Sequence, residues 1–181
     1  NGLSQEVMGL LVGKIDNNKI IIVDAVPLPI EGEANFIEAS DDVAIYMSKY
    51  VDLLELKRKE NFIGWYHSHP FDISKYSQCF FSAIDVQMQN NFQKQSLNWV
   101  GLVIDPLRSL YYNKMEIASF RVYNDVNYCI NNKNIHKLTP TLRCAKNNVT
   151  ERWGNRWYEY YQLKSIYYMS NLAKEFFQHF S

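Results

Sequence analysis

Little in this chain suits an extracellular, membrane-bound or nucleic-acid-bound protein. Its three cysteines, Cys79, Cys129 and Cys144, are an odd count without paired metal spacing. That excludes a disulfide framework and a cysteine-ligated structural zinc module, and it predicts free thiols in a reducing compartment. Acidic and basic residues balance at 19 each, for a formal net charge of zero. There is no long basic stripe, and Lys57-Arg58-Lys59 is short enough to be a solvated helix end, so nucleic acid is not an expected partner. No apolar run approaches membrane-spanning length and no signal peptide is visible, so no membrane is expected either. Asn148-Val149-Thr150 fits a glycosylation sequon, which is idle in a reducing compartment. No internal repeat is present. At 181 residues the chain fits one domain with a proper core. It opens without Met, just before Glu6, and so reads as an excised piece.

What is present centres on His67-Ser68-His69-Pro70. The preceding run, Asn61-Phe62-Ile63-Gly64-Trp65-Tyr66, is apolar and rich in aromatic residues, which predicts a strand. Two histidines one residue apart on a strand share a face, with backbones about 6–7 Å apart, so their imidazoles can converge on one ion. A downstream Asp would add an oxygen ligand. Two nitrogens and one oxygen suit zinc with its fourth position open, the catalytic arrangement. A His-x-His pair also arises from ordinary packing.

Ser82-Ala83-Ile84-Asp85 offers the Asp. It also reads as a helix start, with Ser82 as N-cap and Asp85 in the first turn answering the exposed amides. The two readings are compatible, because residues three apart share a helix face and a capped start is a rigid mount. Asp72 and Ser74 lie nearer the histidines and compete, although Asp72 lacks the helix-start context.

Glu6 opens a further element. Glu6-Val7-Met8-Gly9-Leu10-Leu11-Val12-Gly13-Lys14, the turn-like Asp16-Asn17-Asn18-Lys19 and Ile20-Ile21-Ile22-Val23 together signal a hairpin over about residues 6–27. A Glu at a strand end is ordinarily a solvated edge. Beside a metal site it becomes a general base for a water.

Further along, an acidic connection holds Glu31, Gly32, Glu33 and Asn35. Ser40 can cap a helix in which Val43, Met47, Tyr50 and Leu54 recur at helical spacing. After the metal strand and a loop, a helix is expected from about Ser82 to Gln95. Strands are expected from Trp99 to Ile104, ended by Asp105-Pro106, and from Met115 to Tyr123. Residues 125–150 read as an irregular connection. From Glu151 a helix is expected, its stripe of Trp153, Trp157, Tyr161, Leu163, Ile166, Leu172 and Phe176 packed on the core or docked on a partner. The residue pattern alone gives a mixed α/β (α+β) class.

With these residues in view, the chain resembles the JAMM (MPN-plus) metalloproteases, whose pattern is Glu … His-x-His … Ser-x-x-Asp. Glu6-Val7-Met8-Gly9-Leu10, Gly64-Trp65-Tyr66-His67-Ser68-His69-Pro70 and Val103-Ile104-Asp105-Pro106 match family stretches in order, and Phe120-Arg121 closes the match. Within the family, Leu28-Pro29-Ile30-Glu31-Gly32 and Tyr160-Tyr161-Gln162-Leu163 are similar to the deneddylating branch, the catalytic subunits of signalosome complexes. They are less similar to the proteasome-lid deubiquitinases. One departure stands out. Twelve residues separate His69 from Ser82, a five-residue insertion within 71–78 relative to the family. A loop absorbs such a length at small entropic cost.

The resemblance implies a cytidine-deaminase-like MPN fold, a central sheet flanked by helices with the metal site at the sheet edge and a helix at the C-terminus. It implies a catalytic core over 1–124, the connection over 125–150 and a C-terminal helix over 151–181. By resemblance, zinc is held by His67, His69 and Asp85, Glu6 is the base, and Ser82 donates to the oxyanion. The reaction implied is hydrolysis of the isopeptide joining a ubiquitin-like modifier to a cullin. Implied partners are other signalosome subunits, especially a second MPN-domain subunit, and a neddylated cullin-RING ligase as substrate, in cytoplasm and nucleus. A carboxylate from the Glu31–Glu33 segment or from the inserted loop is expected to approach the metal and hold the isolated chain at low activity. A deubiquitinase of the same fold and a silent MPN scaffold subunit are the alternatives.

Overall fold

The computed structural model of the chain describes residues 5–28, 41–71, 73, 75–124 and 149–179. The first two strands, β1 (Met8–Asp16) and β2 (Lys19–Pro27), form the expected antiparallel hairpin. Its two turn residues, Asn17 and Asn18, have φ of 47° and 60°. Positive φ at both positions matches the turn to the strand twist, and asparagine tolerates that region better than most residues.

The helix α1 (Asp41–Arg58) leads into β3 (Asn61–Ser68), and α2 (Ala83–Gln95) into β4 (Val100–Ile104). There follow α3 (Pro106–Tyr111), β5 (Ile117–Val122), α4 (Val149–Trp153), a 3-10 turn at Trp157–Glu159, β6 (Tyr160–Gln162) and α5 (Asn171–His179). The six strands form one mixed sheet in the order β2-β1-β3-β4-β5-β6. Among the described residues, only β3 and β4 pair in parallel. A parallel pair needs a crossover, and here the crossover is the inserted loop together with α2. Its consequence is positional: the C-terminal ends of β3 and β4 lie side by side, next to the N-terminus of α2.

The main core contains Leu10, Trp65, Phe81, Val86, Met88, Val103, Phe120, Trp153 and Tyr160. Burying one such Phe side chain contributes about 1.5–3 kcal/mol. Under α1, Tyr50 and Leu54 pack with Val12, Val26 and Phe62, as the helical spacing predicts. The side chains of Val43 and Met47 are outside those described. A third cluster, Leu11, Ile63 and Val100, is joined by Ile20, Tyr66, Leu102 and Leu163. Ile63 is an extra residue in β3, since Leu11 pairs with Gly64 and Val12 with Phe62.

α2 has a polar inner face. Gln89 is fully buried; its Oε1 accepts from Trp65 Nε1 at 2.7 Å, and its Nε2 donates to Gln93 Oε1 at 2.8 Å and to the Trp99 carbonyl at 2.9 Å. Gln93 then bonds both the amide and the carbonyl of Val122, fastening α2 to β5. Gly101 sits against this network. A Cβ there would lie 2.5 Å from Phe81 Cζ and 2.9 Å from Trp65 Nε1.

The C-terminal segment differs from the expected helix. α4 stops at Gly154, whose φ of 74° suits a residue without a side chain. The chain then returns as β6, pairing with β5, so that Tyr160 and Trp153 enter the main core and the Tyr160 hydroxyl donates to the Trp153 carbonyl at 2.6 Å. The stripe is divided among four short elements, α4, the 3-10 turn, β6 and α5, with Leu163 and Ile166 between the last two. Ile166, Tyr168 and Leu172 are exposed. α3 is a helix where only a strand end was expected, capped by Asp105 with Pro106 at its first position. The connection at 125–150 lies outside the described residues except for Val149 and Thr150.

Candidate metal centre

His67 is carried by β3, opposite Met8 on β1 and Val103 on β4. His69 lies just past the strand end, yet its amide continues the ladder by donating to the Ile104 carbonyl at 2.9 Å. Both rings are 2% exposed. Trp65 stacks on His67 at 4.7 Å between centroids and 9° between planes, so the network from Gln89 through Trp65 sets that ring's plane. Phe71 and Phe80 flank His69 at 5.0 and 5.1 Å.

Asp85 reaches the same point from α2. Its Oδ1 is 3.3 Å from His67 Nε2 and its Oδ2 is 3.6 Å from His69 Nε2. The two Nε2 atoms are 2.9 Å apart. All three donor atoms lie within 4.8 Å of one another, and all three residues are buried. Ser82 caps α2 as the spacing predicts, in a full capping box with Asp85. The helix start is therefore realised in this tetrad, and the Asp85 carboxylate that completes the capping box also faces both histidines.

These residues fit zinc. At Zn–N and Zn–O distances of about 2.0–2.1 Å, neighbouring ligands of a tetrahedral ion stand roughly 3.3 Å apart. The Nε2 atoms at 2.9 Å and the His67 Nε2–Asp85 Oδ1 pair at 3.3 Å lie near that edge, while the second oxygen, Oδ2, stands 3.6 Å from His69 Nε2. The Gln78 carbonyl can only accept, so the 2.7 Å contact to His69 Nδ1 fixes a proton on Nδ1 and leaves the Nε2 lone pair for a metal. Among the described residues, His67 Nδ1 is buried without a hydrogen-bond partner. Two imidazole nitrogens and a carboxylate facing each other out of water call for a shared cation.

The metal-free electrostatics agree. Burial opposes charge on His69, but the hydrogen bond and charge of Asp85, the Gln78 carbonyl and the charge of Glu6 outweigh it and raise its pKa. Burial likewise opposes charge on Asp85, and the two histidines overcome it, holding the carboxyl well below the usual range. Glu6 is half-buried just before β1. Its neighbour Val7 is clamped to the metal strand, donating to Ser68 Oγ and accepting from the Ser68 amide, each at 3.0 Å. Sequence reading passed over Ser68, although its place between the two ligands points it to the opposite face, toward β1.

Residues 1–97 match the family model described as JAB1/Mov34/MPN/PAD-1 ubiquitin protease. This chain belongs to that family. It is 36% identical over 97% of its length to COP9 signalosome complex subunit 5 of Dictyostelium discoideum, covering 50% of that protein. It is 43% identical over 67% of its length to COP9 signalosome complex subunit 5 of Caenorhabditis elegans, covering 32% of it. To subunit 5b of Arabidopsis thaliana it is 36% identical over 95% of its length, covering 46%. The chain thus spans about half the length, or less, of these relatives.

In this MPN-domain chain the His-His-Asp group sits where the central strands β3 and β4 end, at the C-terminal margin of the sheet. The inserted loop begins and ends on His69: Phe71 stacks on its ring and the Gln78 carbonyl accepts from its Nδ1. It is part of the wall of the site. Asp72, Ser74, Glu31 and Glu33 lie outside the described residues. No described helix is long and apolar enough to cross a membrane.

Proposed function

We propose that this chain is a zinc-dependent isopeptidase of the JAMM type that removes a ubiquitin-like modifier from cullins, as the catalytic subunit of a COP9 signalosome. The observation that carries the reading is the buried convergence of His67, His69 and Asp85, with Glu6 near enough to act on the His69 charge. The names of the relatives support the choice of complex. Its partners in this reading are the other signalosome subunits, a second MPN-domain subunit above all, and a neddylated cullin-RING ligase, met in cytoplasm and nucleus. In this reading residues 1–124 form the catalytic core, 125–150 connect, and the segment 151–181 packs on the core through Trp153 and Tyr160.

His67, His69 and Asp85 would hold the zinc. Bound there, the ion supplies Lewis-acid polarisation of the scissile carbonyl and lowers the pKa of a water. Glu6 accepts the proton of the attacking water and passes it to the departing lysine amine. The Ser82 hydroxyl accepts from the Asp85 amide, and its own proton is available to donate to the developing oxyanion. The bond cleaved joins the modifier's C-terminal glycine to lysine.

The test assembles the chain with the other signalosome subunits and compares cleavage of a neddylated cullin with cleavage of a ubiquitin conjugate. Zinc content is measured on the same sample. Preferential removal of the cullin modifier, lost on chelation and restored by zinc, is expected. Equal or greater activity on ubiquitin would favour the deubiquitinase, and absence of zinc would favour a silent scaffold.

A further inference from the structure

Asp105 is 2% exposed and divides its carboxylate between two tasks. Oδ1 accepts from the Arg108 amide at 2.8 Å, capping α3. Oδ2 accepts from the Gln78 amide at 2.9 Å, across to the end of the inserted loop. Gln78 is the residue whose carbonyl accepts the His69 Nδ1 proton. The residue before Asp105, Ile104, receives the His69 amide. His69 is therefore held at its backbone and at its ring by groups that Asp105 adjoins or binds.

We propose that Asp105 is a positioning residue for the metal ligand His69, acting through the backbone of Gln78. The inference rests on the zinc reading above. A loop lengthened between a ligand and its helix gains freedom, and the Gln78 carbonyl, which also accepts from the Phe80 amide at 3.0 Å, aims at the His69 ring only if the Gln78 backbone is held in place. Asp105 holds that residue at its amide, one peptide group before the carbonyl, with a strong, charge-assisted hydrogen bond from a buried carboxylate. Losing an outer partner of this kind typically costs about 10–100-fold in metal affinity. The geometry also separates anchoring from ordinary helix capping, because the two tasks use different oxygens.

The 181-residue chain is prepared unsubstituted, as Asp105→Ala and as Asp105→Ser. Ala removes both contacts. Ser is an N-cap comparable to Asp but carries no atom at the position of Oδ2. Thermal stability, zinc affinity by competition with a chromophoric chelator, and the absorption spectrum of the cobalt-substituted site are measured for each. Asp105→Ser should regain most of the stability lost in Asp105→Ala, yet bind zinc about tenfold or more weakly and show an altered cobalt spectrum. Recovery of affinity together with stability would overturn the proposal, since capping alone would then explain the residue. Unchanged affinity in Asp105→Ala would overturn it as well. A third readout needs no variant: the His69 Nδ1 proton of the zinc-loaded chain should give an exchange-protected resonance, and its absence would overturn the anchor. Failure of the unsubstituted chain to bind zinc would overturn the metal reading and this one with it, and is distinguished by appearing before any substitution.

Discussion

Ser82 and Asp85 cap each other: the Ser82 amide donates to Asp85 Oδ2 at 2.7 Å, and the Asp85 amide donates to Ser82 Oγ at 3.2 Å. The reciprocal pair spends one carboxylate oxygen on the helix and leaves Oδ1 facing His67 Nε2. A ligand aimed by a helix start has few rotamers to lose when it binds. The same pair places the Ser82 hydroxyl beside the ligand it orients.

Replacing Asp85 separates these roles. Asp85→Asn can keep an acceptor for the Ser82 amide but offers zinc no anionic oxygen, whereas Asp85→Ala loses both. Both variants should lose most of the zinc. Asp85→Ala should in addition lose about 1 kcal/mol of stability from the cap. Elemental analysis and denaturant unfolding read the two effects. Full zinc occupancy in Asp85→Ala would reject Asp85 as a ligand and promote Asp72.

In the proposed mechanism, Glu6→Gln removes the proton acceptor and little else. The Val7–Ser68 clamp uses backbone atoms and the Ser68 hydroxyl, so the start of β1 should stay in place. Zinc content and unfolding midpoint are expected to match the unsubstituted chain, while turnover of a neddylated cullin by the assembled complex falls on the order of a hundredfold or more. Near-normal turnover would reject Glu6 as the base.

The motif residues were legible because each also obeys a local rule. His67 and His69 follow an apolar aromatic strand, Ser82 and Asp85 form a capping box, and Glu6 opens a hairpin with an Asn-Asn turn. What was not legible depends on partners distant in sequence. Gln89 and Gln93 look like the solvent face of α2, and only the positions of Trp65, Trp99 and Val122 make them core. Tyr160–Gln162 carries a stripe that also fits a helix, and it becomes a strand because β5 offers an open edge. Asp105-Pro106 read as the end of a strand, although Asp followed by Pro is equally an N-cap and first helical residue. The role of the inserted loop as a wall of the site could not be read at all, since it rests on Gln78 meeting both His69 and Asp105.

The Gln89 network gives a prediction on stability. Gln89→Ala strips the partner from Trp65 Nε1, from the Trp99 carbonyl and from one side of Gln93. Each buried group left unpaired costs about 1–3 kcal/mol, so a loss of about 2 kcal/mol or more is expected in urea unfolding. Because Trp65 stacks on His67, the metal-free His67 ring should also become more mobile by side-chain NMR. A loss under about 0.5 kcal/mol, no more than a typical net hydrogen bond, would contradict the network's role.

Cys79 provides a prediction in pH. Its thiol is buried against the Val103 and Glu116 carbonyls, each 3.4 Å from the sulfur. Burial pushes the thiol up to about 12; the Ser77 hydrogen bond opposes this, and the charges of Glu116 and Asp105 add to it. The folded chain therefore keeps the thiol proton in the range where an unfolded chain, with a thiol near 8.5, has released it. Between those values the unfolded state binds fewer protons, so this group's contribution to stability is full at neutral pH and falls as pH rises toward about 12. Cys79→Ala should flatten that part of the stability profile. At about pH 8 the native thiol should resist alkylation, because the thiolate is the nucleophile, while the urea-unfolded chain reacts at an ordinary rate. Peptide-resolved mass spectrometry after iodoacetamide treatment reads Cys79 separately from Cys129 and Cys144. Labelling of native Cys79 as fast as in urea would show that the loop ending at Gln78 opens freely, and with it the wall that holds His69.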